Sequence, residues 1–368
     1  MASRAATFDD CRALDADHVW DDGAPRGEGR IDVIGEWLFG CMSRVNSTIP
    51  VQSHFTFGER PTCTVKQGLI MELVNKQRRD AMLNNAGIWD KARLQAAAAA
   101  HSGAWLEAPP NAALDMQLSN AEVQYGVGRR LGVALCEECP CPFCLGVMDK
   151  YGAHCETCMT GGDKTVNHNE VRDDTYIHAR RAHTAPRLEA CGVSRLLGLQ
   201  VVENSQERPA DVLLVRAQDI TTGMGTNASR VALDIGIICP QAFGHLGASS
   251  AEPCGAAEEY ARTKCTRGDI ARRCADAGVV FQPMIFESMG GVSSEADRVL
   301  KCLNKAVAVN TDSSEEAVAT RFWQRIGIDI LRGNCRSFHR RLVKGGPRAG
   351  AGHGYFQSLA GLAFASGI

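Results

Sequence analysis

From Cys141 to Cys158 the chain runs Cys-Pro-Phe-Cys, nine residues, His154, three residues and Cys158. A close pair of thiolates, followed across a short loop by a histidine and a cysteine, is a spacing that closes four tetrahedral ligands around Zn2+. A second set overlaps it. Cys136-Glu-Glu-Cys139 with Cys155 and Cys158 has the C-x2-C-x15-C-x2-C spacing of a ribbon, which zinc also accepts. Six cysteines and one histidine fall within 23 residues here, a density that argues for ligation over idle thiols. Either set would be closed, with no open position for substrate, and therefore structural.

What surrounds this run is ordinary in bulk. A chain of 368 residues has room for two domains, or for one domain with a long arm. The net charge of -2 gives no global basic field, so any nucleic-acid surface must be local. The first 20 residues hold four acids and no apolar run, which predicts no secretory signal. No stretch approaches the roughly 20 apolar residues of a membrane span. Without a secretory route, clustered cysteines are expected as metal ligands rather than disulfides. The expected location is nuclear or otherwise intracellular, in a reducing compartment.

Taken in order, residues 1–62 read as an arm, polar and Asp/Gly-rich up to about residue 30 and partly disordered. Residues 63–134 read as helical: one helix to about Asn85, one from Ile88 to Ala100, and one from Ser119 to Leu131 with Ser119 or Asn120 as cap. The zinc region occupies 135–162. Behind it a helix capped by Thr165 or Asn167 is expected to run to Ala182. Strands are expected at Arg187–Cys191, Ala210–Val215 and Val231–Ile238, the last apolar enough to be central and buried on both faces. Residues 243–255 read as a loop, 256–277 as one helix and Val279–Phe286 as a fourth strand. Helices over 293–309 and 314–342 follow, then a mobile tail over 345–368. The last helix is basic, with eight Lys/Arg against one acid from Arg321 to Arg348. The fold class expected is α/β, a small mixed sheet flanked by helices, over 163–310.

Asp234 stands inside Val-Ala-Leu-Asp-Ile-Gly-Ile-Ile. A charge in such a run is costly unless it is paired or holds a metal. Asp211 sits similarly in Pro-Ala-Asp-Val-Leu-Leu. Two carboxylates on adjacent strands can point the same way and hold Mg2+ or Mn2+. Such an ion activates water and neutralises charge building on a phosphodiester. Lys264 could stabilise the transition state, with Glu170 as a fourth candidate from the first core helix. His168 reads as a packed histidine as readily as a site residue.

The order of these pieces, from zinc run and His-Asn through Pro-Ala-Asp and apolar-Asp-apolar to a Tyr/Lys helix, resembles the C-terminal region of site-specific non-LTR retrotransposons. That region pairs a CCHC zinc knuckle with a restriction-like endonuclease of the PD-(D/E)XK superfamily. The chain is similar too to reverse-transcriptase-associated proteins of protists and algae. The similarity spans about residues 120–340. It implies a restriction-endonuclease-like core and zinc ligands Cys141, Cys144, His154 and Cys158. It also implies Asp211 and Asp234 as magnesium-binding catalytic acids. Asn167-His168-Asn169 stands where the family has Arg-His-Asn. Gly236 stands where the family carries its strand lysine, and Lys264, one turn after Tyr260, is the candidate replacement. The activity implied is metal-dependent nicking of DNA by a hydrolase. The partners implied are DNA or RNA, and a reverse transcriptase in trans or in a parent polyprotein. The alternative is a catalytically inactive nucleic-acid-binding remnant.

Overall fold

The computed structural model describes residues 67–188, 210–223 and 228–345. The chain forms two compact units, Met1–Asn85 and Ala86–Ile368. In the first, the described part is one helix, α1 (Gln67–Asn85). The arm expected over 1–62, the continuation of the first strand to Cys191 and the tail after Gly345 lie outside the described residues. The helices expected as one region divide between the units, because α2 (Ile88–Ala98) and α3 (Asn120–Leu131) belong to the second. Helix α3 starts where Ser119 Oγ accepts the Glu122 N–H while the Glu122 carboxylate accepts the Ser119 N–H at 2.6 Å. It ends at Gly132, whose φ of 69° suits a residue without a side chain.

A short hairpin, β1 (Cys139–Pro140) and β2 (Val147–Met148), is followed by α4 (Ala153–Thr157) and α5 (Asp163–Arg181). Helix α5 begins earlier than the cap expected at Thr165 or Asn167. Gly162, at φ 79°, turns the chain into it, and the Asp163 carboxylate at its first residue is held by Arg340 and Arg341.

The sheet is made of β3 (Arg187–Leu188), β4 (Val212–Leu214), β5 (Arg230–Ile238) and β6 (Val279–Glu287), in that spatial order. The first three pair antiparallel, and β5 and β6 run parallel along their whole length. A short helix, α6 (Gln218–Gly223), precedes β5. The connection from β5 to β6 carries α7 (Leu246–Ala251), α8 (Gly255–Thr266) and α9 (Ile270–Asp276). After β6 come α10 (Ser294–Thr311) and the long α11 (Glu315–Gly345). The fold is thus mixed α/β, with a small mixed sheet among helices.

Alternation along the strands builds two cores. Val212, Leu214, Val231, Leu233, Ile235, Met284 and Phe286 pack with Val171 of α5, Leu300 and Leu303 of α10 and Phe322 of α11. On the opposite face Leu213, Ala232 and Phe281 meet Cys274 of α9, and Ile285 meets Ala256, Ala257 and Ala261 of α8. Strand β5 is central and covered on both faces, as its apolar run implies. Each fully buried Leu or Ile here contributes about 1.5–3 kcal/mol relative to exposure.

Two expectations change, and the basic residues of α11 find partners. The segment read as a loop contains α7, whose small residues let Gly255 approach so closely that a Cβ there would fall 2.2 Å from the Ala248 carbonyl oxygen. The helix expected over 256–277 is broken, because Gly268 and Asp269 take positive φ of 59° and 53°. The arginines of α11, from exposed Arg340 to buried Arg341, are mostly ion-paired within the fold. Arg325 pairs with Asp174 and Asp329, Arg332 with Asp115, Arg336 with Glu170, and Arg340 and Arg341 with Asp163.

Candidate functional site

The hairpin turn and α4 bring one of the two competing ligand sets together. The Cys141 N–H donates to the Gly146 carbonyl at 2.7 Å, closing the turn that carries Cys141 and Cys144. His154 and Cys158 lie four residues apart across α4 and therefore share a face. Cys141, Cys144, His154 and Cys158 offer ligand atoms that all lie within 4.8 Å of one another, and this group could hold a metal ion. Cys144 Sγ is 3.2 Å from His154 Nε2. Gly146 makes that approach possible, since a Cβ there would stand 2.9 Å from His154 Cε1. Three sulfurs and one imidazole nitrogen suit zinc. Burial pushes the Cys158 thiol up, but hydrogen bonds from Thr160 and Arg341 outweigh it and bring the group to about 6. The rival set does not assemble: the Cys155 thiol turns into the core, donating to the Gly152 carbonyl at 2.8 Å.

Between the two ligands on α4 sits Glu156, fully enclosed. Arg129 of α3 donates to both its oxygens at 2.7 and 2.8 Å, and the Tyr125 hydroxyl donates at 2.8 Å. From the sheet side the Ser288 hydroxyl donates at 2.6 Å and the Cys239 thiol at 3.2 Å. Burial raises the Glu156 carboxyl, but Arg129 outweighs it and the group stays ionised below the ordinary carboxylate range. This carboxylate ties the zinc-type cluster to the C-terminal ends of β5 and β6.

Glu156 also lines a cleft of about 910 Å³ that contains Asp211, Asp234, Lys264, His168 and Tyr260. The register explains why the two aspartates meet. Val212 pairs with Leu233, so Asp211, one residue ahead of β4, faces Asp234 across the next step of the ladder. Both side chains then lie on the face that looks toward α8. Lys264 of α8 donates to Asp234 Oδ1 at 2.7 Å. His168 Nε2 of α5 lies 3.3 Å from Asp211 Oδ1, and the Ile235 N–H donates to Asp211 Oδ2 at 2.6 Å.

The two carboxyls differ in charge preference. Burial pushes both up. At Asp211 the bond to His168, that imidazole's charge and the Ile235 N–H outweigh it, and the group falls below its ordinary value. At Asp234 burial wins over Lys264 and the group stays raised. Paired acids pushed apart in this way are a frequent mark of a functional cleft.

Gly236 stands beside Asp234 on this face. A Cβ there would lie 3.5 Å from Tyr260 Cε1 and 3.9 Å from Lys264 Cε, so the Lys264 stem and the Tyr260 ring run close beside this backbone. Glu170 is not part of the cleft. Its carboxylate meets Arg336 of α11 at 3.0 Å, on another side of α5. His168 takes its place as the α5 residue on the aspartates. Lys164, one turn before His168, also lines the cleft. The i, i+4 spacing of this lysine and histidine on one polar helix is the signal that could have singled them out.

Comparison with family models, with curated proteins and with solved structures found no match to this chain. Among the described residues, no helix is long and apolar enough to cross a membrane.

Proposed function

We propose that this protein is a metal-dependent DNA endonuclease that nicks a phosphodiester, with a structural zinc knuckle, and that it descends from a retroelement. The observation that carries the reading is the juxtaposition of Asp211 and Asp234 on adjacent strands of one cleft, with Lys264 on Asp234. The small mixed sheet flanked by helices agrees in outline with the restriction-like core that the resemblance implies. Mg2+ or Mn2+ held by Asp211 and Asp234 would supply Lewis acidity and an activated water. His168 orients the Asp211 carboxylate. Lys264, which donates to Asp234, would stabilise charge on the phosphoryl oxygens were a divalent ion to occupy that carboxylate. Zinc held by Cys141, Cys144, His154 and Cys158 would fix α4 as a wall of the same cleft.

Plasmid nicking by the zinc-loaded protein in Mg2+ and Mn2+, beside Asp234→Asn, tests this reading. Nicking that disappears in the variant is the expected result. Absence of nicking in both metals, by a folded protein that still binds DNA, would overturn it.

One observation favours a second reading, an inactive nucleic-acid-binding remnant. Both aspartates already have side-chain partners, Lys264 on Asp234 and His168 on Asp211, so each carboxylate is held without a divalent ion. DNA binding that is unchanged by a magnesium-selective level of chelator, with zinc retained and no nicking, is the outcome that reading requires.

A further inference from the structure

The cleft holds a cation that the two aspartates do not use. Lys164 lies in the first turn of α5, on the same face as His168. Its Nζ donates to the Ile237 carbonyl oxygen at 3.1 Å. An ammonium has three donors, and among the described residues no carboxylate stands within ion-pair distance of this one. Burial pushes the Lys164 ammonium below its ordinary value, only partly offset by the charge of the Glu156 carboxylate. A desolvated cation without an anionic partner is unfavourable as it stands, and an incoming anion removes that cost.

Its position says which anion. Along the β4-facing edge of β5, the Asp211 carboxylate takes the Ile235 N–H and Lys164 takes the Ile237 carbonyl. Ile237 is three residues beyond Asp234, about 10 Å along the strand at roughly 3.3 Å per residue. Ile237 is also two residues, about 7 Å, beyond Ile235, so Lys164 stands further along the floor than the aspartates and in line with a polymer lying across them. Thr165, exposed beside it, lines the same cleft and adds a hydroxyl.

We propose that Lys164 and Thr165 form a separate subsite for a backbone phosphate of the nucleic acid, flanking the one at Asp211 and Asp234. The proposal rests on the nuclease reading only in taking the cleft as a nucleic-acid site; it holds equally for the inactive remnant. Lys164 is a substrate-positioning residue in it, with no part in proton or electron transfer.

The test is the salt dependence of binding of a fluorescein-labelled DNA duplex to the full chain, followed by anisotropy between about 50 and 200 mM salt. Each phosphate contact contributes a slope of about 0.9 in log K against log salt for a duplex. Lys164→Gln keeps a donor for the Ile237 carbonyl but removes the charge, and Lys164→Met removes both. Both should bind several-fold more weakly at low salt, with a slope shallower by about 0.9, so that the gap from wild type narrows about threefold by 200 mM. Lys164→Arg should keep the wild-type slope, as should Lys305→Met on the exposed face of α10. A wild-type slope in Lys164→Gln, with or without a lowered Tm, would reduce Lys164 to a cap on the β5 edge and overturn the subsite while leaving the nuclease reading untouched. A wild-type protein whose DNA binding has no salt dependence would overturn the cleft reading itself, and the subsite with it.

Discussion

Lys264 reaches Asp234 at 2.7 Å by running past Gly236, where an added Cβ would stand 3.9 Å from Lys264 Cε. Lysine and divalent cation compete for the same carboxylate oxygen. Replacing Lys264 with Ala should therefore tighten Mn2+ binding, by tenfold or more on a Coulomb term of order 1–4 kcal/mol, while nicking falls. Titration calorimetry and plasmid nicking read the two effects, and effects in the same direction would refute the assigned role. Gly236→Lys in the Lys264→Ala background should restore part of the nicking. The cost at Gly236 is small, since the nearest obstacle, at 3.0 Å, is the flexible end of Ile285.

Glu156, which stands between the metal-type cluster and the cleft, predicts a large stability effect. Glu156→Gln leaves the Arg129 guanidinium buried without its counter-charge. Breaking one side of a buried pair costs about 3–5 kcal/mol, here a Tm loss on the order of 10 °C. The double variant Glu156→Gln with Arg129→Met should recover much of it, which calorimetry of the two proteins would show.

Metal content separates the two cysteine sets. The protein should bind one equivalent of zinc, and Cys144→Ser or Cys158→Ser should lose it. Cys139→Ser and Cys155→Ser should keep it, because Cys155 faces Tyr125 and lies outside the ligand cluster. Chelation should lower Tm by several degrees, since Cys141, Cys158 and Met148 share one apolar cluster with Ile328, Leu331 and Phe338 of α11.

Glu287 should make stability fall with pH. Burial pushes its carboxyl up to about 7, and among the described residues one of its buried oxygens has no hydrogen-bond partner. A carboxyl raised in the folded state adds stability that is complete below its unfolded pKa of about 4.3 and is lost as pH rises through about 7. Denaturant midpoints measured at pH 5 and pH 8 should differ by up to roughly 3 kcal/mol, and Glu287→Gln should flatten the difference. An unchanged pH slope in Glu287→Gln would refute the assignment.

Some of this was legible in the sequence for definite reasons. Asp234 stood out because a charge in an apolar strand needs a partner, and the partner is Lys264. The central position of β5 followed from its unbroken apolar run. Glu170 misled because residues two apart on a helix point about 200° apart, so when His168 faces Asp211, Glu170 faces α11. The basic composition of α11 carried no direction, and most of its arginines answer acids inside the fold. Spacing alone could not choose between the zinc sets, because it does not say which way Cys155 turns. Nor did any local signal mark Glu156, whose partners come from α3 and from the ends of two strands.

The Arg341–Asp163 pair joins residues 178 positions apart, and α11 also supplies the apolar floor beneath the knuckle. At about 5–20 residues per second of synthesis, the four ligands leave the ribosome roughly 10–35 s before the helix they rest on. During that interval the hairpin can gather its ion while Asp163 has no counter-charge and the underside of the cluster is wet. The ligand cluster is thus complete in residues early and packed only once α11 has emerged. Ribosome-held chains stopped before residue 328 should carry zinc yet remain open to protease between 135 and 162, and protection at that stage would contradict this order.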